Sequence, residues 1–99
     1  IFAEGVEAHL SHLDIPWNRY GVILGLHKEQ AAVVILFEDA NAQWLVDVKN
    51  VITTYAEGAI LHLLNTPRGT ICRTSSGKIK RRKMWDLFNQ GMLEAMPLM

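Results

Sequence analysis

The sequence predicts an α+β domain in which a small, mainly antiparallel three-stranded sheet is covered by helices. Two Val/Ile/Leu-rich runs, Tyr20 to Leu26 and Ala31 to Glu38, flank four polar residues, and a third run, Ala59 to Leu64, follows later. Before, between and after these runs, apolar residues recur every three or four positions, the period of a helix with one buried face. With 99 residues, 49% of them hydrophobic and 20% charged, the chain supports one core and excludes a second complete domain. A core of this size needs no metal or disulfide staple, and it is too small to enclose a deep active site.

Phe2, Val6, Leu10 and Leu13 lie four, four and three residues apart, which places one apolar stripe along a first helix, with Glu4, Glu7 and Ser11 on its other faces. Pro16 is expected to end that helix. Because the sequence opens at Ile1 inside this pattern, the natural protein is expected to continue upstream. His27, Lys28, Glu29 and Gln30 are short and polar enough for a tight hairpin, so the first two strands should be antiparallel neighbours. Asp39 or Asn41 can cap a second helix, in which Trp44, Leu45, Val48, Ile52 and Tyr55 form the buried stripe until Gly58 provides a left-handed stop. The third strand, Ala59 to Leu64, leads into a loop from Asn65 to Ser76, where Pro67, Gly69 and several hydroxyl residues break any period. A last helix begins near Ile79 or Lys80 and turns Met84, Leu87, Phe88 and Met92 inward, and Ala95 to Met99 are expected to fray.

Ten basic and ten acidic residues cancel, which argues against a protein whose main task is neutralising a nucleic acid. The distribution is uneven: residues 1–67 carry three Lys/Arg against eight Asp/Glu, and residues 68–99 carry seven against two. That asymmetry points to an anion handled by the C-terminal third. A lone Cys72 cannot form an internal disulfide and no Asn-x-Ser/Thr acceptor occurs, so the cytoplasm is the expected compartment. The longest apolar run, Ala31 to Phe37, falls far short of the ~20 residues of a membrane span.

The chemistry is concentrated in Pro67 to Lys83. Gly77 permits a turn closed to other residues, Thr74, Ser75 and Ser76 supply hydroxyls, and Lys78 projects an ammonium, which together can grip a phosphate oxygen. The segment is not a P-loop: seven residues separate Gly69 from Gly77, and Ile79 follows the lysine where a magnesium-binding hydroxyl belongs. A basic run at a helix start also opposes the helix dipole, so the cluster reads as kept for something other than stability.

Thr74-Ser75-Ser76-Gly77-Lys78-Ile79-Lys80-Arg81 resembles the C-terminal signature of the adenylate-forming enzymes: acyl-CoA synthetases, nonribosomal peptide adenylation domains and luciferases. The doubled serine and the preceding Pro67-Arg68-Gly69-Thr70 are most similar to the fatty acyl-AMP ligases. The order of elements resembles that family's small mobile C-terminal subdomain, so the likeness covers nearly the whole chain, with Val6 and Glu7 in the place of its first helix. Cys72 departs from the pattern, standing where the family usually has proline.

The resemblance implies a piece of a larger ligase, inactive alone, whose large ATP-binding domain and hinge lie outside this sequence. ATP with Mg2+, bound mainly by that domain, and a fatty acid would form an acyl adenylate. The acyl group would then pass to a phosphopantetheine thiol, on an acyl carrier protein or on coenzyme A. Lys78 would be the catalytic cation of the first step, with Thr74, Ser75, Ser76 and Gly77 as its nucleotide loop and no bound metal of its own. The alternative from another class is a non-enzymatic binding module whose basic loop docks nucleic acid or an acidic partner.

Other residues read more simply as structure. Lys80, Arg81, Arg82 and Lys83 suit a solvated helix start, with Arg81 and Arg82 available to a partner domain or to pyrophosphate. His9 and His12, three apart, have a metal-ligand spacing but no third ligand, and His27 and His62 suit a turn and a strand. Trp44 and Tyr55 fit a core stripe, and Trp17 and Trp85 a surface against the large domain. Cys72 lies close in sequence to Arg68, Arg73 and Lys78 but lacks a partner base.

Overall fold

A computed structural model describes residues 3–56 and 58–98. The chain runs through α1 (Ala3–Leu10), a single 3-10 turn (Trp17–Arg19), β1 (Tyr20–His27), β2 (Gln30–Glu38), α2 (Ala42–Tyr55), β3 (Ile60–Thr66), α3 (Arg81–Asn89) and β4 (Met96–Pro97). The class is α+β, but the expected sheet is corrected: it has four strands in the order β1-β2-β3-β4 and is mixed, not three-stranded and mainly antiparallel. β1 and β2 form the expected antiparallel hairpin. β3 runs parallel to β2, because α2 carries the chain back along the sheet before β3 begins, so both strands leave from the same end. The fourth strand comes from the segment expected to fray: Met96 and Pro97 pair with Asn65 and Leu64, and the Leu98 amide donates to the Leu63 carbonyl. A very short edge strand containing proline adds no ladder for further chains to join.

Strand alternation divides the core into two. Val22 of β1, Val33, Ile35 and Phe37 of β2 and Leu63 of β3 face α1 and α2, meeting Val6, Leu10, Val48 and Ile52. Ile23, Val34, Leu36 and Leu64 face the opposite way and pack with Met84 of α3 and with Ile71 and Ile79 of the loop between β3 and α3. Buried on both faces, β2 is the continuous apolar run that a central strand requires. Ile71 and Ile79 thereby tie both ends of the basic loop to the core.

Several boundaries differ from expectation. α1 ends at Leu10, well before Pro16, and Leu13 packs on the core from the turn that follows. Phe2 and Met99 lie outside the described residues. The hairpin loop is only Lys28 and Glu29, both left-handed at φ 53° and 66°, a two-residue turn whose twist matches the strands. Asn41 caps α2 by accepting the Gln43 amide at 2.8 Å, whereas Asp39 holds a left-handed turn at φ 55° and pairs with Arg68. Asn65 and Thr66 belong to β3, and Met92, expected to face inward, is exposed.

At the far end of the sheet, His27 and His62 sit edge to face at 6.1 Å, with Phe88 stacked against both. Burial, and secondarily the nearby His27, holds the His62 imidazole below the ordinary value of 6.5. The unfolded chain therefore binds this proton first as pH falls. Stability is full above that value and drops as the solution is acidified, until folded His62 also titrates. Thermal unfolding between about pH 8 and about pH 5 should show this decline, and His62→Phe should flatten it. An equally steep decline in the variant would assign the effect to other groups.

Candidate functional site

The loop that leaves β3 is organised before it reaches the basic run. Glu38, at the end of β2 and only 9% exposed, accepts the amides of Gly69 and Ile71 at 3.1 and 3.2 Å. The Thr66 hydroxyl donates to the Phe37 carbonyl at 3.0 Å, and Arg68 pairs with Asp39 at 2.8 Å. A buried carboxyl group with two amide donors has its hydrogen bonds satisfied and fixes the loop's path. The chain then enters a narrow turn closed by an antiparallel bridge between Arg73 and Ile79.

Within that turn the residues singled out by sequence bond to one another. The Thr74 amide donates to the Lys78 carbonyl at 2.7 Å, the Gly77 amide to the Thr74 carbonyl at 2.9 Å, and the Lys78 amide to Thr74 Oγ1 at 3.2 Å. The hydroxyls of Thr74 and Ser76 lie 3.0 Å apart and share a hydrogen bond, while Ser75 is exposed at the tip. Gly77 takes φ 88°, and a Cβ built there would lie 3.5 Å from the Trp17 ring. Space is adequate, so the requirement for glycine is conformational. Gly77→Ala should cost about 1–2 kcal/mol, read as a lower urea midpoint, and unchanged stability would mean the turn accepts a side chain.

The turn is also seated on β1. Gly21 is bare on the face where Ile79 arrives: a Cβ there would stand 2.5 Å from Ile79 Cδ1 and 3.3 Å from Ile71 Cγ2, so a side chain would force Ile79 to repack. Arg73 donates to the carbonyls of Gly77, Trp17 and Tyr20 at 3.1, 3.3 and 2.7 Å, with its guanidinium 5.4 Å from the Trp17 ring centroid. Arg81 donates to the Val22 carbonyl at 2.7 Å and pairs with Glu7 of α1 at 2.6 Å. The expectation that Arg81 is available to pyrophosphate or a partner domain is thereby corrected: its donors hold α1, β1 and α3 together. Arg82 meets only Asp86, on an exposed face.

Lys78 differs from both arginines that flank it. Exposed, it lines an open cleft of about 600 Å³, walled by Glu4 and Glu7 of α1 and Ser11 just beyond it on one side and by Trp17, Arg73 and Gly77 on the other. Its ammonium has no ion-pair partner among the described residues. Tyr20 also lines the cleft, and its phenol is pushed up by burial and by Glu7, against the pull of Arg73, so it faces the cleft as a neutral hydroxyl. The cleft thus presents one exposed cation beside an internally hydrogen-bonded turn.

The remaining candidates fall outside this site. The His9 ring bonds the Gly5 carbonyl at 2.8 Å and stacks on Tyr55 at 3.8 Å, and the described residues contain no group of three or more His, Cys, Asp or Glu that could hold a metal. Trp85 packs against Phe88 on the sheet, while Trp17 is 65% exposed beside the loop. The Cys72 amide points to Met84 Sδ and its thiol to the Thr70 carbonyl. Sequence reasoning missed Glu38 and Arg73. A single carboxylate ending an otherwise apolar run was a signal for the first, and nothing in the sequence marked the second as different from its basic neighbours.

No family model matches the chain, and no curated protein matches it significantly. No helix among the described residues is long and apolar enough to cross a membrane.

Proposed function

We propose that this chain is the C-terminal part of an ATP-dependent carboxylate-adenylating enzyme, a fatty acyl-AMP ligase or acyl-CoA synthetase, and that Lys78 is its adenylation lysine. The observation that carries the reading is the contrast within one short segment: Arg73 and Arg81 are consumed by internal contacts, whereas Lys78 stands unpaired at an open cleft on a fixed turn. The resemblance of Thr74 to Arg81 to the adenylate-forming signature supplies the reaction class.

In that reaction a carboxylate oxygen attacks the α-phosphorus of ATP. The bond to the β-phosphate oxygen breaks, and pyrophosphate leaves. Negative charge on the entering carboxylate and the α-phosphate oxygens is met by the Lys78 ammonium, which a preorganised turn delivers without reordering the backbone. Thr74 and Ser76 shape the turn, Gly77 allows its reversal, and the exposed Ser75 hydroxyl is free to donate. The resemblance implies that ATP with Mg2+ would be held mainly by the large domain, and when bound the ion would supply charge neutralisation at the phosphates.

The test is carboxylate-dependent pyrophosphate release by the full-length protein across a fatty acid panel, wild type against Lys78→Ala. Release that depends on Lys78 supports adenylation. Release that ignores the substitution leaves the basic loop as a docking element for an acidic partner or nucleic acid.

A further inference from the structure

We infer that Arg73 is a positioning residue for adenylation, a guanidinium clamp that fixes the backbone presenting Lys78 against the edge of the sheet; the inference rests on the adenylation reading of Lys78. Every backbone polar group of the lysine is held. Its carbonyl accepts the Thr74 amide at 2.7 Å and its amide donates to Thr74 Oγ1 at 3.2 Å. The carbonyl of the same peptide unit, that of Gly77, accepts Arg73 Nη1 at 3.1 Å. A planar peptide gripped at both its N–H and its C=O cannot rotate, so the direction in which the Lys78 side chain departs is set.

The other end of the clamp is anchored on the start of β1 and the 3-10 turn that precedes it. Arg73 Nη2 donates to the Tyr20 carbonyl at 2.7 Å and the Trp17 carbonyl at 3.3 Å. β1 is an edge strand, so its outer carbonyls have no strand partner and are open to a side chain. Trp17 closes the arrangement, its ring 3.5 Å from the position of a Cβ on Gly77 and 5.4 Å from the guanidinium. The planar guanidinium fork holds its donors in a fixed geometry toward several carbonyls, which a compact ammonium on a flexible stem reproduces only in part. Arg73 touches no reacting atom in this scheme and acts through Lys78.

The experiment compares Arg73→Gln, Arg73→Lys and Val48→Ala in the full-length protein, with adenylation and acyl transfer measured separately. Val48 is fully buried on the opposite face of the sheet and controls for lost stability. Arg73→Gln should lower kcat for pyrophosphate release on the order of 10²-fold, the effect of a displaced reacting group, with KM for ATP and transfer from supplied acyl adenylate unchanged. Arg73→Lys should recover part of that loss. An equal loss in both half-reactions, or the same loss in Val48→Ala, would make Arg73 merely structural and overturn the inference.

If the wild type releases no pyrophosphate, the adenylation reading fails, and the clamp is judged by amide exchange in this 99-residue chain. Exchange at Lys78 raised by about tenfold or more in Arg73→Gln, with Val34 unchanged, upholds a clamp on the loop; unchanged exchange at Lys78 overturns it.

Discussion

Lys78→Ala is expected to reduce carboxylate-dependent pyrophosphate release on the order of 10²- to 10³-fold and to spare thioester formation from supplied acyl adenylate. The size follows from removing one preorganised donor at the point where charge accumulates. The selectivity follows from chemistry: a thiol attacks a supplied acyl adenylate at its carbonyl carbon and expels AMP, so the attack at phosphorus that Lys78 is proposed to assist does not recur in the second step. The turn itself should survive, since its bonds run through the backbone of Lys78 and not through its ammonium. An unchanged thermal midpoint beside a lost first half-reaction is the expected pattern. Equal loss in both halves would remove the adenylation argument.

Phe37→Ala should have the largest effect on stability, about 3–5 kcal/mol. Phe37, one residue from the end of β2, is fully buried and packs toward Trp44 of α2, ring centroids 6.2 Å apart. Its carbonyl also accepts the Thr66 hydroxyl, so the same residue lies where β2, β3 and α2 meet. A domain of this size has roughly 5–15 kcal/mol in total, so the loss is a large fraction of the whole. Urea denaturation measures it directly, and a loss below about 1 kcal/mol would show that the site collapses around the smaller side chain.

The elements of the fold were largely legible because each has a local cause. β2 carries an unbroken apolar run, α2 carries Val48 and Ile52 one turn apart with Asn41 before them, and the hairpin follows from two apolar runs with a short polar break. Lys78 stood out as a candidate because Thr74 to Arg81 resembles the adenylate-forming signature; without that context it is one more lysine of a solvated basic helix start. The direction of β3 was not read correctly, although the order strand, helix, strand already holds the reason for a parallel pair. β4 was not legible at all: Met96 and Pro97 have no strand pattern, and they pair only because α3 delivers the chain to the free side of β3.

What the sequence by itself determined is the class of the domain, its helices and first three strands, and the concentration of cations in one glycine-containing loop, since all of these depend on spacing along the chain. Only the tertiary structure decided which of those cations are free. Arg73, Lys78 and Arg81 are equivalent as letters in a basic run. In the folded chain, Glu7 of α1 and the carbonyls of the β1 edge capture the two arginines and leave the lysine at the cleft. The partners that make this distinction lie more than fifty residues away along the chain, and only packing brings them within hydrogen-bond reach.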